Sequence, residues 1–127
     1  MKTRNDLLYS KTHEWVKIDG SKATVGITDF AQENLGEIVF VDLPKTGGSL
    51  MAGSVLCVAE SVKAATEIYA PVAGKITRVN TELTDHPELI NQNPYESWIA
   101  EIELADLAQA AALIDEAAYI DFCLKGQ

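Results

Sequence analysis

The sequence has few basic residues, few cysteines and no long apolar run. Its 127 residues include 10 Lys and Arg against 19 Asp and Glu, which gives a formal net charge of −9. Because nucleic acids and anionic membranes are bound by clustered Lys and Arg, we expect neither as a partner. No apolar run approaches the roughly 18 residues of a transmembrane helix. Cys57 and Cys123 form no CxxC pair, so we expect two small apolar core residues and no disulfide framework.

Motifs of several enzyme classes are also missing. The chain contains no G-x-S-x-G, no Walker-type glycine loop and no dinucleotide-binding fingerprint. His13 and His86 are isolated in the sequence, so we expect surface or capping roles for them and no metal site. The first six residues lack signal or transit character. We therefore expect a cytoplasmic protein, or one of the mitochondrial matrix if the sequence is a processed organellar form.

The residues that are present favour a single domain built mainly of β-strands. Hydrophobic residues make up 47% and charged residues 23%, as in ordinary globular proteins. We predict one domain over residues 1–127, with a core at about 9–104 and C-terminal helices at about 105–124. Short apolar segments between Gly and Pro turns predict a two-sheet sandwich or barrel. The predicted strands are 13–18, 23–27, 38–41, 55–58, 66–69, 75–79 and 98–104.

Helices are predicted in three places. One short helix lies near 29–35, with Asp29 as N-cap, Gln32 three residues later and Gly36 at its end. The polar stretch 80–97 predicts a long loop with one helical turn at 87–90.

The C-terminal region predicts two further helices. They begin after Asp106, with Gln109 three residues on, and after Asp115. Tyr119, Phe122 and Cys123 share one face of the second helix, so we expect these helices to pack on the sheets as a lid.

Lys63 lies where a predicted hairpin reverses. The β-prone runs 55–58 and 66–69 flank it, and it is the only basic residue between Lys45 and Lys75. Its ammonium should point into water. An exposed hairpin lysine is usually a solvated charge, and covalent modification is the less common alternative. Schiff-base catalysis would require a desolvated lysine with a lowered pKa, which an exposed turn does not provide.

The hairpin sequence Glu60-Ser61-Val62-Lys63-Ala64 resembles the lipoyl-lysine motif of glycine cleavage system H proteins. Further segments in the same order, across about residues 9–104, are similar to the same family. They are HEWV at 13–16, VGITD at 25–29, LGEIVFV at 35–41, LP at 43–44, YAPVAG at 69–74, VN at 79–80, LIN at 89–91 and PY at 94–95. The resemblance implies a barrel-sandwich hybrid like lipoyl and biotinyl carriers, with two antiparallel sheets.

The resemblance also implies a cofactor and the residues around it. (R)-Lipoate would be attached covalently to Lys63, and the recognition motif would be formed by Glu60, Ser61, Val62 and Ala64. Glu14 and Glu67 are implied as possible residues of a cleft that receives the lipoyl arm. From the residues alone, Glu14 is equally compatible with a surface carboxylate at a strand edge. Glu60 and Glu67 are compatible with a solvated cross-strand pair.

A carrier role without catalysis follows from the same resemblance. Lipoyl-Lys63 would take the aminomethyl group of glycine from a pyridoxal-phosphate-dependent glycine decarboxylase to a tetrahydrofolate-dependent aminomethyltransferase. An FAD-dependent dihydrolipoyl dehydrogenase would reoxidise the arm, and a lipoate ligase or a lipoyl/octanoyl transferase would attach it.

Three alternatives stay open from the sequence. Biotinyl domains carry Met on both sides of the lysine, where this chain has Val62 and Ala64. Lipoyl domains of 2-oxoacid dehydrogenases have Asp before the lysine and lack the early HEW segment. An H-like protein that relays lipoate to other lipoyl domains would share the motif. One departure from the family pattern, a shortened segment 94–98 without glycine, bears on the cleft or on docking surfaces.

Overall fold

Two antiparallel sheets make up most of the computed structural model, which describes residues 1–126. The strands are β1 Leu8–Tyr9, β2 Glu14–Asp19, β3 Lys22–Ile27, β4 Ile38–Asp42, β5 Ser49–Leu50, β6 Val55–Ser61, β7 Ala65–Tyr69, β8 Gly74–Val79 and β9 Ala100–Leu104. The helices are α1 Asp29–Leu35, α2 Glu82–Asp85, α3 Leu89–Gln92 and α4 Glu116–Leu124, and a 3₁₀ helix covers Leu107–Ala112. The predicted β-rich architecture, the helix near 29–35 and the helical C-terminus are confirmed.

The larger sheet has the strand order β1-β2-β3-β9-β8-β5, and the smaller one has the order β4-β6-β7. Alternation along each strand sends one set of side chains between the sheets and the other outward. The predicted hairpin is present as β6 and β7, with Ala59 opposite Thr66 and Glu60 opposite Ala65. The register of this hairpin determines which residues surround Lys63.

The main core lies between the two sheets and consists of aliphatic side chains. Val16, Val25, Val72, Ile99 and Ile102 are all fully buried in it. A second, aromatic cluster joins α4 to the first strands, with Leu7, Tyr9, Trp15, Tyr119 and Cys123 as its buried members. The rings of Tyr9 and Tyr119 are stacked with centroids 4.6 Å apart. The C-terminal helix α4 is thereby packed against the larger sheet through the predicted face.

Both cysteines are buried and free, as predicted. Burial raises the pKa of the Cys57 thiol to about 12, so this group stays protonated at neutral pH. No helix within residues 1–126 is long and apolar enough to cross a membrane.

The N-cap of α1 is Thr28, so the prediction of Asp29 is wrong by one residue. Thr28 has an extended backbone and its hydroxyl accepts a hydrogen bond from the Ala31 amide. Asp29 is already helical, and its carboxylate accepts from the Gln32 side chain at 2.8 Å. Gly36 ends the helix as predicted, with φ at 77°.

Residues 80–97 are more ordered than the predicted loop. Two helical turns, α2 and α3, place Leu83 and Ile90 in the main core with no exposed surface. The prediction of one turn is wrong because single apolar residues anchor each turn, and single residues leave no periodic pattern.

The segment after Asp106 is a 3₁₀ helix with no buried residue, and its Leu107 is 65% exposed. Asp106 caps it as predicted. Gln109 instead accepts a hydrogen bond from the Ala73 amide, so it ties this helix to the turn before β8. This helix therefore lies beside the sheets and does not cover them.

Replacement of Thr28 tests whether the α1 cap stabilises the fold. Thr28→Ala removes the cap and one of the hydrogen-bond partners of the buried Tyr119 hydroxyl, so we expect the free energy of unfolding to fall by about 1–2 kcal/mol. The matched control is Thr81, which occupies the N-cap of α2 without any side-chain cap bond. Thr81→Ala should change the free energy of unfolding by less than about 0.5 kcal/mol. Urea titrations of both variants measure this, and equal losses would contradict the assignment.

Candidate functional site

Ser61 closes the tight reversal of the β6–β7 hairpin. Its amide donates to the Ala64 carbonyl at 2.9 Å, and its hydroxyl accepts from the amides of Lys63 and Ala64 at 3.2 and 3.3 Å. Short hydroxyl side chains favour such local bonds to the backbone. Ser61 therefore gives the tip its shape, which leaves Val62, Lys63 and Ala64 exposed.

Two hydrogen bonds tie the tip to the end of α1. The Val62 amide donates to the Glu37 carbonyl at 3.0 Å, and the Lys63 ammonium donates to the Asn34 carbonyl at 2.8 Å. A cation beside the last carbonyls of a helix interacts favourably with its dipole. The expectation of an ammonium that points only into water is therefore wrong, although the side chain is exposed.

Gly36 gives the lysine room to lie across the helix end. A Cβ atom at this position would lie 3.1 Å from the Lys63 Cε, and the φ of 77° belongs to the region that favours glycine. The residue that ends α1 thus also admits the lysine side chain.

A cavity of about 250 Å³ opens beside the hairpin. Its lining combines apolar and polar side chains: Thr12, His13, Glu14, Ile27, Ala31, Asn34, Leu35, Thr66, Glu67 and Ile68. Asn34 belongs to this lining and also accepts the bond from Lys63. The amine of Lys63 is therefore hydrogen-bonded to a residue that lines the cavity.

The Glu14 carboxylate is buried in the wall of this cavity, with 2% of the residue exposed. One oxygen accepts from the hydroxyls of Ser10, at 2.6 Å, and Thr12, and the other accepts from the Tyr69 amide at 3.4 Å. Burial raises the pKa of Glu14, while the three hydrogen bonds oppose that rise. The alternative of a surface carboxylate is thereby excluded.

Glu60 and Glu67 do not form a cross-strand pair. Glu60 lies opposite Ala65, whereas Glu67 lies opposite Val58. Glu67 lines the cavity and accepts a hydrogen bond from the Tyr69 hydroxyl at 3.2 Å. Glu60 is exposed and lies outside the cavity lining. Of the predicted cofactor-binding residues, Glu14 and Glu67 line the cavity, and Lys63 is bonded to the lining residue Asn34.

His13 lines the cavity, and no pattern in the sequence indicates this position. The prediction of a surface or capping role is wrong, because its Nδ1 shares a 2.7 Å hydrogen bond with the Tyr119 hydroxyl and its ring stacks on Phe30. Its φ of 74° turns the chain just before Glu14. His86 is exposed beside Glu88, as expected. Within residues 1–126, no cluster of three or more His, Cys, Asp or Glu could hold a metal ion.

The shortened segment 94–98 packs elsewhere. The Pro94 carbonyl accepts from the Trp15 indole at 3.0 Å, and the Tyr95 hydroxyl donates to the Lys2 carbonyl. None of these five residues lines the cavity. The shortened segment is therefore not part of the cavity wall.

The comparisons with known proteins agree with this geometry. The family model for glycine cleavage H-proteins matches residues 7–126. The chain belongs to the glycine cleavage H-protein family. This assignment confirms the resemblance drawn from the sequence.

Individual H proteins are similar along nearly the whole chain. The glycine cleavage system H protein of Alkaliphilus oremlandii is 49% identical over 125 residues, which cover 98% of each chain. The mitochondrial glycine cleavage system H protein 2 of Arabidopsis thaliana is 51% identical over 119 residues, covering 93% of this chain and 76% of that one. A solved H-protein structure from Mycobacterium marinum superposes with a TM-score of 0.86 at 32% identity, covering 98% of this chain and 100% of that one. The predicted fold class is thus confirmed.

The titration of Glu14 tests the cavity electrostatics of this H-protein chain. Carboxyl ¹³C NMR should give a Glu14 pKa above its ordinary value, because burial disfavours the charged form. Ser10→Ala removes a bond that stabilises the carboxylate, so it should raise the pKa further.

The matched control is Ser54→Ala, because the Ser54 hydroxyl donates to the Met51 carbonyl and not to Glu14. It should leave the Glu14 titration unchanged. As the pH falls, the Glu14 carboxylate is protonated at a higher pH than an ordinary glutamate, so the cavity loses this negative charge at a higher pH. A Glu14 pKa at or below the ordinary value would contradict this description.

Proposed function

We propose that the chain carries (R)-lipoate in amide linkage on Lys63 and acts as the lipoyl carrier of the glycine cleavage system. It would take the aminomethyl group of glycine from the pyridoxal-phosphate-dependent glycine decarboxylase to the tetrahydrofolate-dependent aminomethyltransferase. An FAD-dependent dihydrolipoyl dehydrogenase and a lipoate ligase or lipoyl/octanoyl transferase complete the set of partners. The observation that carries this proposal is the bond of the Lys63 amine to Asn34, which lines a cavity that contains the buried Glu14 carboxylate.

The residues around Lys63 fit this cofactor. Lipoate supplies a disulfide–dithiol pair on a hydrocarbon chain when bound. Ile27, Ala31, Leu35 and Ile68 give the cavity an apolar wall for such a chain. Glu60, Val62 and Ala64 are exposed around the tip, where an acylating enzyme can contact them.

The two carboxylates in the cavity suit a cationic cargo. Ionised Glu14 is fixed by three hydrogen-bond donors, and Glu67 lies in the same lining. Charges interact more strongly where water is excluded than at an open surface. The protein would therefore hold and shield the amine of the aminomethyl group, while the chemistry is performed by the partner enzymes.

The compartment and the domain organisation follow from the family only as proposals. A cytoplasmic location fits a bacterial relative such as that of Alkaliphilus oremlandii, and the mitochondrial matrix fits the plant relative. We propose one lipoyl-binding domain, since the family match spans residues 7–126.

Intact-mass analysis after expression with lipoate and a lipoate ligase tests the attachment. The wild-type chain should gain the mass of one lipoyl group, and Lys63→Arg should gain none. Lys75→Arg is the matched control on the exposed side of β8 and should be modified like the wild type. A wild-type chain that gains no lipoyl group would contradict the carrier proposal.

Reconstitution with the three partner enzymes then separates glycine cleavage from lipoate relay. Glycine-dependent CO₂ release should require the lipoylated chain and should be absent with Lys63→Arg. Lipoylation without support of CO₂ release would contradict the glycine cleavage role and favour the relay.

A further inference from the structure

The smaller sheet presents one face to solvent beside the modified hairpin. Phe40 lies opposite Glu60, which lies opposite Ala65, and Asp42 lies opposite Val58, which lies opposite Glu67. Directly opposed residues of antiparallel strands point to the same face. The alternate pair, Val41 and Ala59, is buried in the core. We call the outward surface the hairpin face; its members are Phe40, Asp42, Val58, Glu60, Ala65 and Glu67.

A β-bulge in β4 exposes large apolar side chains at and beside the hairpin face. The register shifts between Ile38 and Phe40, so Val39 is the extra residue of a bulge. Ile38 and Val41 stay in the core, whereas Val39 is 50% and Phe40 44% exposed. Val62, 66% exposed, lies next to the start of β4 through its bond to Glu37. Exposed apolar patches with polar rims mark interaction sites.

The charge of the hairpin face is of one sign. Within β4, β6, β7 and the connecting tip, the acidic residues are Asp42, Glu60 and Glu67, and Lys63 is the one basic residue. Acylation of Lys63 removes that positive charge. Several other basic residues, Lys17, Lys22, Lys75 and Arg78, are exposed on strands of the larger sheet. A partner of this face is therefore expected to carry Lys or Arg, since such complementarity directs protein association.

We propose that the hairpin face is the docking surface for the enzyme that acylates Lys63. That enzyme would have an apolar recess for Phe40, rimmed by basic residues. The inference rests on the acylation of Lys63 that is part of the proposed function, and it adds the surface by which the acylating enzyme binds.

The chemistry of acylation favours the acylating enzyme as the protein that binds the hairpin face. The Lys63 Nζ loses a proton to a base and forms a C–N bond with the carbonyl carbon of an activated lipoyl group, such as an acyl adenylate or acyl thioester. The bond from that carbon to its leaving group breaks. The acylating enzyme must therefore reach the Nζ itself, next to the backbone of the tip.

Lipoylation kinetics of Phe40→Ser test the proposal. With a purified lipoate ligase, ATP and (R)-lipoate, we expect the KM for the protein substrate to rise about tenfold with kcat little changed. The matched control is Leu107→Ser, because Leu107 is also exposed but lies on the 3₁₀ helix that is tied to Ala73. It should keep the wild-type KM. Urea titration confirms that both variants are folded.

A charge variant tests the same surface independently. Asp42→Lys should also raise the KM, whereas Asp19→Lys, at the exposed last residue of β2 in the larger sheet, should not. A folded Phe40→Ser variant with the wild-type KM for lipoylation overturns the proposal. If the Phe40→Ser variant is lipoylated normally but loses only the decarboxylase reaction, the face binds the decarboxylase instead, and the proposal is overturned. If the variant instead loses a dimer seen by sedimentation, the face binds a second copy of the chain, and the proposal is overturned as well. A wild-type chain that is never acylated overturns the proposed function too, so the two failures are distinguishable.

Discussion

The bond from the Val62 amide to the Glu37 carbonyl determines where Lys63 lies, because it fastens the hairpin tip to the segment that follows α1. The Lys63 ammonium adds a second bond to the Asn34 carbonyl, beside the cavity. The N-terminal end of α1 is fixed in turn by Thr28, whose hydroxyl bonds to Tyr119 of α4. A continuous set of polar contacts thus links the C-terminal helix to the lysine. These contacts join residues that are distant in the sequence, and they hold the exposed amine at Asn34, a residue of the cavity that contains the buried Glu14 carboxylate.

The cost of burying Glu14 is partly offset by its three hydrogen-bond donors. Burial disfavours the charged form of the carboxyl group and raises its pKa, and the donors oppose that rise. Ser10, Thr12 and the Tyr69 amide favour the ionised form, so the cavity can keep a negative charge in a wall that is largely shielded from water. Such an arrangement suits the holding of a cation. A carrier requires this positioning and shielding, and it needs no catalytic group of its own.

The sequence predicted the fold and the hairpin that presents Lys63 well, but it predicted the surroundings of the lysine poorly. The attachment of lipoate to Lys63 stays a prediction. Strand alternation and the tight turn identified the hairpin, because both depend on neighbouring residues. The partner of the Lys63 ammonium is the backbone carbonyl of Asn34, and no side-chain pattern encodes such a bond. His13 was missed because its role depends on Tyr119, 106 residues away. The bulge at Val39 was missed for a related reason: the exposure of Val39 and Phe40 depends on the register with β6, and apolar strand residues are ordinarily expected inside.

The central claim is that the cavity beside Lys63 receives the loaded arm. Amide ¹H–¹⁵N spectra of the lipoylated chain, recorded before and after incubation with glycine and the decarboxylase, test it most directly. The account predicts that loading shifts the amide signals of Thr12, Glu14 and residues 66–68, which belong to the cavity and lie away from the tip. Shifts confined to residues 61–65 in both states would contradict it, because the arm would then stay in solvent.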